Sequence, residues 1–114
     1  MNVLVTGATG QVGSYAVDYL LDVQTEVNVH CTKRWRSDMI NALHFKDRVI
    51  WHECDLTDFI NVYEVISNVM PDRIMHFAAQ SYVAASFHQP FTTLESNIKM
   101  YQNILESILI INDK

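Results

Sequence analysis

The first thirteen residues join an apolar run to a turn with three glycines and then to an amphipathic stretch. The run is Val3-Leu4-Val5, and Thr6-Gly7-Ala8-Thr9-Gly10-Gln11-Val12-Gly13 follows it directly. This order predicts a strand, a tight turn and the start of a helix. Backbone amides of such a turn approach a pyrophosphate, whose charge faces the positive end of the helix. An ordinary glycine-rich turn is the alternative, but the strand-to-helix context favours a phosphate site.

Length and composition fit one small globular domain. The chain has 114 residues, of which 49% are hydrophobic and 18% are charged. A net charge of -5 argues against a general binder of nucleic acid or anionic membranes, both of which require a broad basic surface. No apolar run approaches the roughly 20 residues that span a bilayer, and a signal-peptide pattern is missing, so we expect a cytoplasmic location.

Cysteines and histidines give no sign of a disulfide framework or a metal site. The two cysteines, Cys31 and Cys54, each end a predicted strand, which favours small buried thiols over a disulfide. Five histidines lie at positions 30, 44, 52, 76 and 88 without metal-ligand spacing. We therefore predict no bound metal.

Strand-like and helix-like periods alternate along the chain, which is typical of repeated strand-helix-strand units. Right-handed crossovers then predict a Rossmann-type, doubly wound parallel α/β sheet with strand order 3-2-1-4. We predict one partial dinucleotide-binding domain over residues 1–114, without an internal boundary. The predicted strands are 2–6, 27–31, 49–54 and 73–78, and the predicted helices are 11–22, a short one capped by Ser37, 59–69 and 91–111.

Helical periodicity also predicts which residues pack inward. On the first helix these are Val12, Tyr15, Ala16, Tyr19 and Leu20. On the last helix they are Leu94, Ile98, Tyr101, Leu105, Ile108 and Leu109. Docking of this last helix on the sheet and packing against a second copy of the chain remain alternatives.

A basic segment follows the second strand, where an acidic residue would otherwise accept a hydrogen bond from the adenosine ribose. Thr32-Lys33-Arg34-Trp35-Arg36-Ser37 supplies three cations and two hydroxyls instead. These groups suit a 2'-phosphate, so the segment predicts NADP rather than NAD, with Arg34 and Arg36 as the forked donors. A solvated basic loop without a ligand is the alternative.

The segment Asp55-Leu56-Thr57-Asp58 follows the third strand on the same edge of the sheet. Its aspartate can accept from the adenine amino group while the amide of Leu56 donates to a ring nitrogen. The alternative is that Asp55 and Thr57 only cap the next helix, and both roles can coexist.

Three segments together resemble the extended short-chain dehydrogenase/reductase superfamily: Thr6 to Gly13, Asp55 to Asp58, and His76-Phe77-Ala78-Ala79-Gln80-Ser81. Within it, the run from Ala78 to Val83, followed by Ser86-Phe87 and Pro90, and the basic segment most resemble the GDP-mannose 4,6-dehydratases. The resemblance covers essentially the whole chain. It implies NADP as the cofactor, GDP-mannose as the nucleotide sugar of the full-length enzyme, and an internal redox reaction that regenerates the cofactor.

The resemblance also implies roles for individual residues. Gly7, Thr9, Gly10, Gln11 and Val12 would line the pyrophosphate, with Gly13 packing the helix against the strand. Arg34 and Arg36 would meet the 2'-phosphate, and Asp55 and Leu56 the adenine. The nicotinamide side would be formed by Ala78, Ala79 and Gln80 beneath the ribose and by Ser81 facing the nicotinamide and the hexose.

The catalytic Tyr-x-x-x-Lys of the family is not found in the chain. None of its five tyrosines is followed by lysine at that spacing, so we assign no catalytic residue and expect an amino-terminal part of a longer enzyme. A second departure is Met100, where the family has glycine, which brings close helix packing into question. Two other functions remain open: a nucleotide-sugar epimerase or 4-keto reductase, and a non-catalytic dinucleotide-binding or interaction protein.

Overall fold

A computed structural model, which describes residues 1–23, 26–79 and 89–113, shows a four-stranded parallel sheet in the order β3-β2-β1-β4. The predicted fold class and strand order are therefore confirmed. The elements in chain order are β1 (Asn2–Thr6), α1 (Gln11–Val23), β2 (Asn28–Lys33), a 3-10 turn (Ile40–Ala42), β3 (Ile50–Glu53), α2 (Phe59–Val69), β4 (Arg73–His76) and α3 (Pro90–Asn112).

The first strand is the centre of the sheet. Val3 is paired with Val29 of β2 on one side and with Arg73 of β4 on the other. Its side chains alternate between two buried clusters, since Val3 and Val5 pack on the α1 side and Leu4 packs on the side of α2 and α3. This alternation is what a strand buried on both faces requires.

Two strand ends differ from the prediction by a few residues. β2 continues to Lys33, because its ladder with β3 extends to the pair of Lys33 and Glu53. β4 ends at His76 rather than Ala78: the amide of Phe77 is shared between the carbonyl and the hydroxyl of Thr6, and the amide of Ala78 donates to the hydroxyl alone. Both differences lie at the carboxyl edge of the sheet, where the predicted site is.

The predicted inner face of α1 is wrong at three of its five residues; Leu20 is buried and Ala16 is half-buried. Val12, Tyr15 and Tyr19 are each at least 60% exposed, and the buried residues are Gly13, Ser14, Val17 and Leu20. The reason is the position of Gly13, which packs directly against the backbone of the glycine turn. Because only a residue without a side chain fits there, the face of α1 that contains Gly13 must be the inner one. Residues four and seven positions later then share the buried face.

The segment after β2 is a single 3-10 turn over Ile40–Ala42 and not the short helix that Ser37 was predicted to cap. The Ser37 hydroxyl donates to the carbonyl of Arg34 at 2.8 Å. Asp38 accepts from the amide of Ile40 instead. Phe45, 1% exposed, anchors the segment to the α1 side of the sheet.

The third helix packs through a face that is partly polar. Asn103, Ile104 and Ser107 are buried, and Met100, Ile108 and Ile111 pack against the α2 cluster. Of the predicted inward residues only Ile108 is on this face, and the others are exposed: Leu94, Ile98, Tyr101, Leu105 and Leu109. The prediction followed apolar residues, whereas hydrogen bonds satisfy the buried Asn103 and Ser107.

Within the three described ranges, no helix combines the length and the apolar character that a membrane span needs.

Candidate dinucleotide site at the carboxyl edge of the sheet

A cavity of about 620 Å³ opens at the carboxyl ends of the strands. Five segments of the chain line it: the glycine turn, the end of β2, the segment after β3, the end of β4 and the start of α3. A position beside the point where strand order reverses is typical of ligand sites in doubly wound sheets. The volume lies within the range of small-molecule and cofactor pockets.

The glycine turn packs against two other parts of the backbone. Gly7 has φ +73°, and a Cβ there would lie 2.6 Å from the amide nitrogen of Ala78. A Cβ at Gly13 would lie 2.0 Å from the carbonyl oxygen of Gly7. At Gly10, by contrast, a Cβ would meet only that same oxygen within 4 Å, at 3.3 Å. Backbone atoms therefore pack closely against the turn at Gly7 and Gly13, whereas the side at Gly10 has space. A phosphate-binding turn requires such space.

The predicted pyrophosphate residues come together at this turn. The amide of Gly10 donates to the carbonyl of Gly7 at 3.0 Å, which closes the turn just before α1. The cavity is lined there by Gly7, Thr9, Gly10, Gln11, Val12 and Gly13.

Thr6 joins the glycine turn to the end of β4. Its fully buried hydroxyl oxygen accepts from the amides of Phe77 and Ala78, at 3.1 and 3.2 Å. Its one hydrogen is then left for Nδ1 of His76, 2.6 Å away, which fixes the neutral tautomer with the proton on Nε2. Burial lowers the pKa of His76, in agreement with this neutral form. Ala78 and Ala79 line the cavity beside the turn.

The two arginines of the basic segment lie in different places. Arg34 lines the cavity, together with Thr32, Lys33 and Ser37. Arg36 has φ +64°, and its guanidinium lies 4.3 Å from the ring centroid of Trp35, which is itself 70% exposed. Arg36 is not among the residues that line the cavity. Lys33 lies at the cavity because β2 continues two residues beyond its predicted end and finishes with Lys33 itself.

Hydrogen bonds hold the segment from Cys54 to Asp58 in one conformation. The amide of Cys54 donates to the carbonyl of Lys33, and the amides of Thr57 and Asp58 both donate to Asp55. The Asp55 amide donates to Oδ1 of Asn61 at 2.9 Å. Asp58 rather than Asp55 caps α2, because its carboxylate accepts from the amide of Ile60.

Leu56 has the one amide in this segment without a hydrogen-bond partner among the residues that the structure describes. Leu56 and Asp55 both line the cavity. Hydrogen bonds from the hydroxyl and the amide of Thr57 lower the pKa of Asp55, and the nearby Arg34 and Lys99 lower it further. An acceptor carboxylate and a donor amide are thus side by side at the cavity wall.

The start of α3 contributes residues that the sequence analysis missed. Thr92, Thr93 and Ser96 line the cavity, and so does Met100 one turn later. Thr92 and Thr93 precede Ser96 by four and three positions, which puts each of them beside Ser96 on the helix surface, and that spacing was the available signal. Met100 is half-buried against the α2 cluster, so the helix packs here despite the side chain at this position.

Gln80 and Ser81, predicted for the nicotinamide side of the site, lie outside the described residues, as do the following positions up to His88.

Both cysteines are free and buried. Burial raises the pKa of Cys31 to about 12. Burial, followed by the charges of Asp55 and Asp58, raises the pKa of Cys54 to about 11. Cys54 borders the cavity, but as a protonated thiol it is no nucleophile at neutral pH.

Among the described residues, no group of three or more His, Cys, Asp or Glu side chains could hold a metal ion. His30 and His52 do meet across β2 and β3, with Nδ1 and Nε2 3.0 Å apart. Their ring centroids are 5.2 Å apart, so the two nitrogens face each other almost directly, as in a hydrogen bond. Their separation by 22 positions in the chain hid this pair from the spacing argument.

Two kinds of known protein are similar to the chain. GDP-mannose 4,6-dehydratase of Vibrio cholerae serotype O1 is 36% identical over an alignment of 115 positions. The alignment spans 92% of this chain and 30% of that protein. UDP-glucose 4-epimerase of Thermus thermophilus, solved in complex with NAD, superposes with a TM-score of 0.81 at 30% identity, over 94% of this chain and 33% of that one. UDP-glucose 4-epimerase of Thermotoga maritima, solved with UDP-glucose, gives a TM-score of 0.81 at 29% identity over the same shares.

The chain spans only 20% to 33% of the length of the curated relatives that it matches. Within that span the match is continuous, since the family model of GDP-mannose 4,6 dehydratase covers residues 4–114. The glycine turn, the basic segment and the Asp55 segment all lie inside it. The chain therefore belongs to the GDP-mannose 4,6-dehydratase family.

Proposed function

We propose that this chain is the NADP-binding part of a GDP-mannose 4,6-dehydratase. The observation that carries the proposal is the composition of the cavity wall at the end of β2, where Lys33 and Arg34 lie between the hydroxyl residues Thr32 and Ser37. The run from Thr32 to Ser37 contains no acidic residue that would accept from a ribose 2'-hydroxyl. Two cations with flanking hydroxyls suit a 2'-phosphate, which carries the charge that distinguishes NADP from NAD.

The glycine turn would hold the pyrophosphate. The open side of Gly10 would give the phosphates room, and the amides of Gln11 and Val12, in the first turn of α1 at the cavity wall, would donate to them. Thr9 adds a hydroxyl at the same wall, and Gly13 keeps α1 close enough to the turn for its positive end to act.

The adenine would lie against the Asp55 segment. Asp55 would accept from the exocyclic amino group, and the Leu56 amide, which has no partner within the described part of the chain, would donate to a ring nitrogen. Because the pKa of Asp55 is lowered, its carboxylate remains an acceptor throughout the neutral range.

The nicotinamide half would lie toward the end of β4. Ala78, Ala79 and Gln80 would contact its ribose, and Ser81 would contact the nicotinamide and the hexose of GDP-mannose. Bound NADP would supply a group that accepts and returns a hydride. No proton transfer is assigned to this chain, because it has no Tyr-x-x-x-Lys. Its contribution would be to bind and orient the cofactor. The location would be the cytoplasm, where free buried thiols such as Cys31 and Cys54 are normal.

A second function is favoured by the solved structures, since those of similar fold include UDP-glucose 4-epimerases. The Thermus enzyme was solved with NAD. An epimerase-like part would bind NAD at least as tightly as NADP and would not depend on the cations after β2.

Calorimetric titration of the chain with NADP and with NAD tests the proposal, with circular dichroism to show that each variant is folded. We expect tighter binding of NADP. Arg34→Gln should weaken NADP binding by at least about tenfold and leave NAD binding unchanged, because a charge-assisted bond contributes about 1.5–3 kcal/mol. Arg36→Gln should have a smaller effect, since Arg36 lies on Trp35. Lys46→Gln, which removes an exposed cation away from the cavity, is the matched control.

Equal or tighter binding of NAD in the unaltered chain would overturn the NADP assignment in favour of the epimerase-like function. A folded chain that binds neither dinucleotide would indicate a non-catalytic interaction protein.

A further inference from the structure

The third helix reaches the adenine side of the cavity through one buried polar side chain. Asn103 is 7% exposed, and its Nδ2 donates to the carbonyl oxygen of Leu56 at 2.9 Å, across 47 positions of sequence. Its helical neighbour Ile104 packs in the same buried cluster as the Leu56 side chain. The helix therefore holds Leu56 by both its carbonyl and its side chain.

A buried asparagine in a helix interior opposes two ordinary preferences. Asparagine is a weaker helix former than leucine, and burying an amide loses its hydrogen bonds to water. An apolar residue of similar size would serve helix packing at least as well. The contact with the Leu56 carbonyl is what compensates for the burial of the Asn103 amide.

A second side-chain amide holds the same segment from the opposite end. Oδ1 of Asn61, on α2, accepts from the amide of Asp55 at 2.9 Å. The peptide unit that carries the Leu56 amide thus lies between a bond from α2 and a bond from α3. Every other amide from Cys54 to Asp58 has a hydrogen-bond partner among the described residues. Leu56 is the exception, and it lines the cavity.

We propose that Asn103 is a positioning residue that aims the Leu56 amide at the purine base of the dinucleotide, with Asn61 as its counterpart. The inference rests on the proposed function and extends it, since it makes the recognition of adenine depend on α3. Without the bond to its carbonyl, Leu56 would turn more freely, and its amide would lose its fixed direction into the cavity.

Hypoxanthine offers the sharpest probe of this role. In the hypoxanthine analogue of NADP an oxygen replaces the amino group and the adjacent ring nitrogen carries a proton. The oxygen would face the Asp55 carboxylate, so that two acceptors meet. The protonated ring nitrogen would face the Leu56 amide, so that two donors meet. The unaltered chain should therefore prefer NADP over the analogue by about tenfold or more, as expected for mispaired polar groups. In Asn103→Leu, which retains the side-chain volume, the ratio of the two affinities should fall by about threefold or more, because the Leu56 amide no longer discriminates while Asp55 still does.

The ratio separates positioning from stability, because a partly unfolded variant loses affinity for both ligands equally. Ser107→Ala is the matched control: the Ser107 hydroxyl is buried on the same helix face but donates only to the carbonyl of Asn103. It should keep the preference for adenine. If Asn103→Leu does not fold, Asn61→Ala removes the opposite bond from a less buried position and should lower the ratio in the same way.

Amide hydrogen exchange without ligand tests the inference independently of NADP binding. Asn103→Leu should speed exchange of the Thr57 and Asp58 amides at least about fivefold, as loss of a bond of about 1 kcal/mol implies, while Ser107→Ala should not. Unchanged exchange in Asn103→Leu, or an unchanged preference for adenine, would overturn the inference and leave NADP binding intact. Faster exchange in a chain that does not bind NADP would instead support the positioning of Leu56 and refute the proposed function.

Discussion

Substitution of Gly13 by alanine is the most direct test of how the glycine turn is built. A Cβ at this position would lie 2.0 Å from the carbonyl oxygen and 2.6 Å from the carbonyl carbon of Gly7. A contact of that kind below 3.0 Å does not persist, so α1 and the turn must separate by about 1 Å. Gly7 cannot yield easily, since its own α-carbon faces the backbone of Phe77 and Ala78.

Overpacking of this kind costs about 1–3 kcal/mol and more where only backbone can move. The better helix propensity of alanine offsets up to about 1 kcal/mol. We therefore expect Gly13→Ala to lower the free energy of unfolding by about 2 kcal/mol, which corresponds to a fall of about 8 °C in Tm for a domain of this size. Urea unfolding followed by circular dichroism measures the change, provided that the m-values agree.

Gly10→Ala is the matched control in the same turn. Its Cβ would meet Gly7 at 3.3 Å, which a shift of a few tenths of an ångström relieves. We expect a loss below about 1 kcal/mol, the cost of alanine at the residue that precedes a helix. If the two variants differ by less than about 0.5 kcal/mol, the close approach of α1 to Gly7 is refuted, since a difference that small lies within ordinary surface effects.

Three further predictions follow from buried groups. Thr6→Val leaves the amide of Ala78 without its acceptor, whereas the amide of Phe77 keeps the backbone carbonyl of Thr6, and the variant should lose about 2 kcal/mol in urea unfolding, against less than about 1 kcal/mol for the Thr57→Val control; equal losses would contradict the role of the Thr6 hydroxyl. Burial lowers the pKa values of His30, His52 and His76, so the unfolded chain binds more protons near pH 6 and stability should fall as pH decreases below about 6.5; His52→Gln should weaken this dependence, and a stability that rises between pH 7 and pH 5 would contradict it. The thiols of Cys31 and Cys54 should resist iodoacetamide at pH 8 until urea unfolds the chain, because burial raises both pKa values; rapid labelling in the native protein, read by mass spectrometry, would count against the packing described.

Local chemistry made part of the fold predictable. α2 begins and ends where the sequence indicated, because Asp58 caps its first turn and the left-handed Met70 before Pro71 ends it. The glycine turn was predictable for the same reason. A side chain at these glycines would contact residues within a few positions or the adjoining strand.

The faces of α1 and α3 could not be read from apolar periodicity alone. On α1, the row containing Tyr15 and Tyr19 is more hydrophobic than the row that is buried, and the small Gly13 decides the orientation. On α3, Asn103 and Ser107 are buried because their hydrogen bonds are satisfied by backbone carbonyls. Such pairings join residues far apart in sequence and have no local signature.

The site residues also fall into two groups, those whose position follows from the local sequence and those whose position depends on distant partners. Arg34 follows directly from the end of β2, whereas the left-handed backbone at Arg36 places that side chain on Trp35. The partners of Leu56 come from α2 and α3, and only the assembled fold brings them to one segment.

The central place of β1 has a consequence for how the chain folds during synthesis. Its hydrogen bonds to β4 join Val3 with Arg73, and the amide of Asn2 bonds to the carboxylate of Asp72, so one edge of the earliest strand pairs only with residues made 70 positions later. At about 5–20 residues per second, a ribosome needs several seconds to cover that distance. During this interval β1 can pair with β2 alone, and its other edge is open to foreign strands. The nascent chain is therefore most exposed to misassembly before β4 emerges, and a chaperone that shields β1 would act in that period.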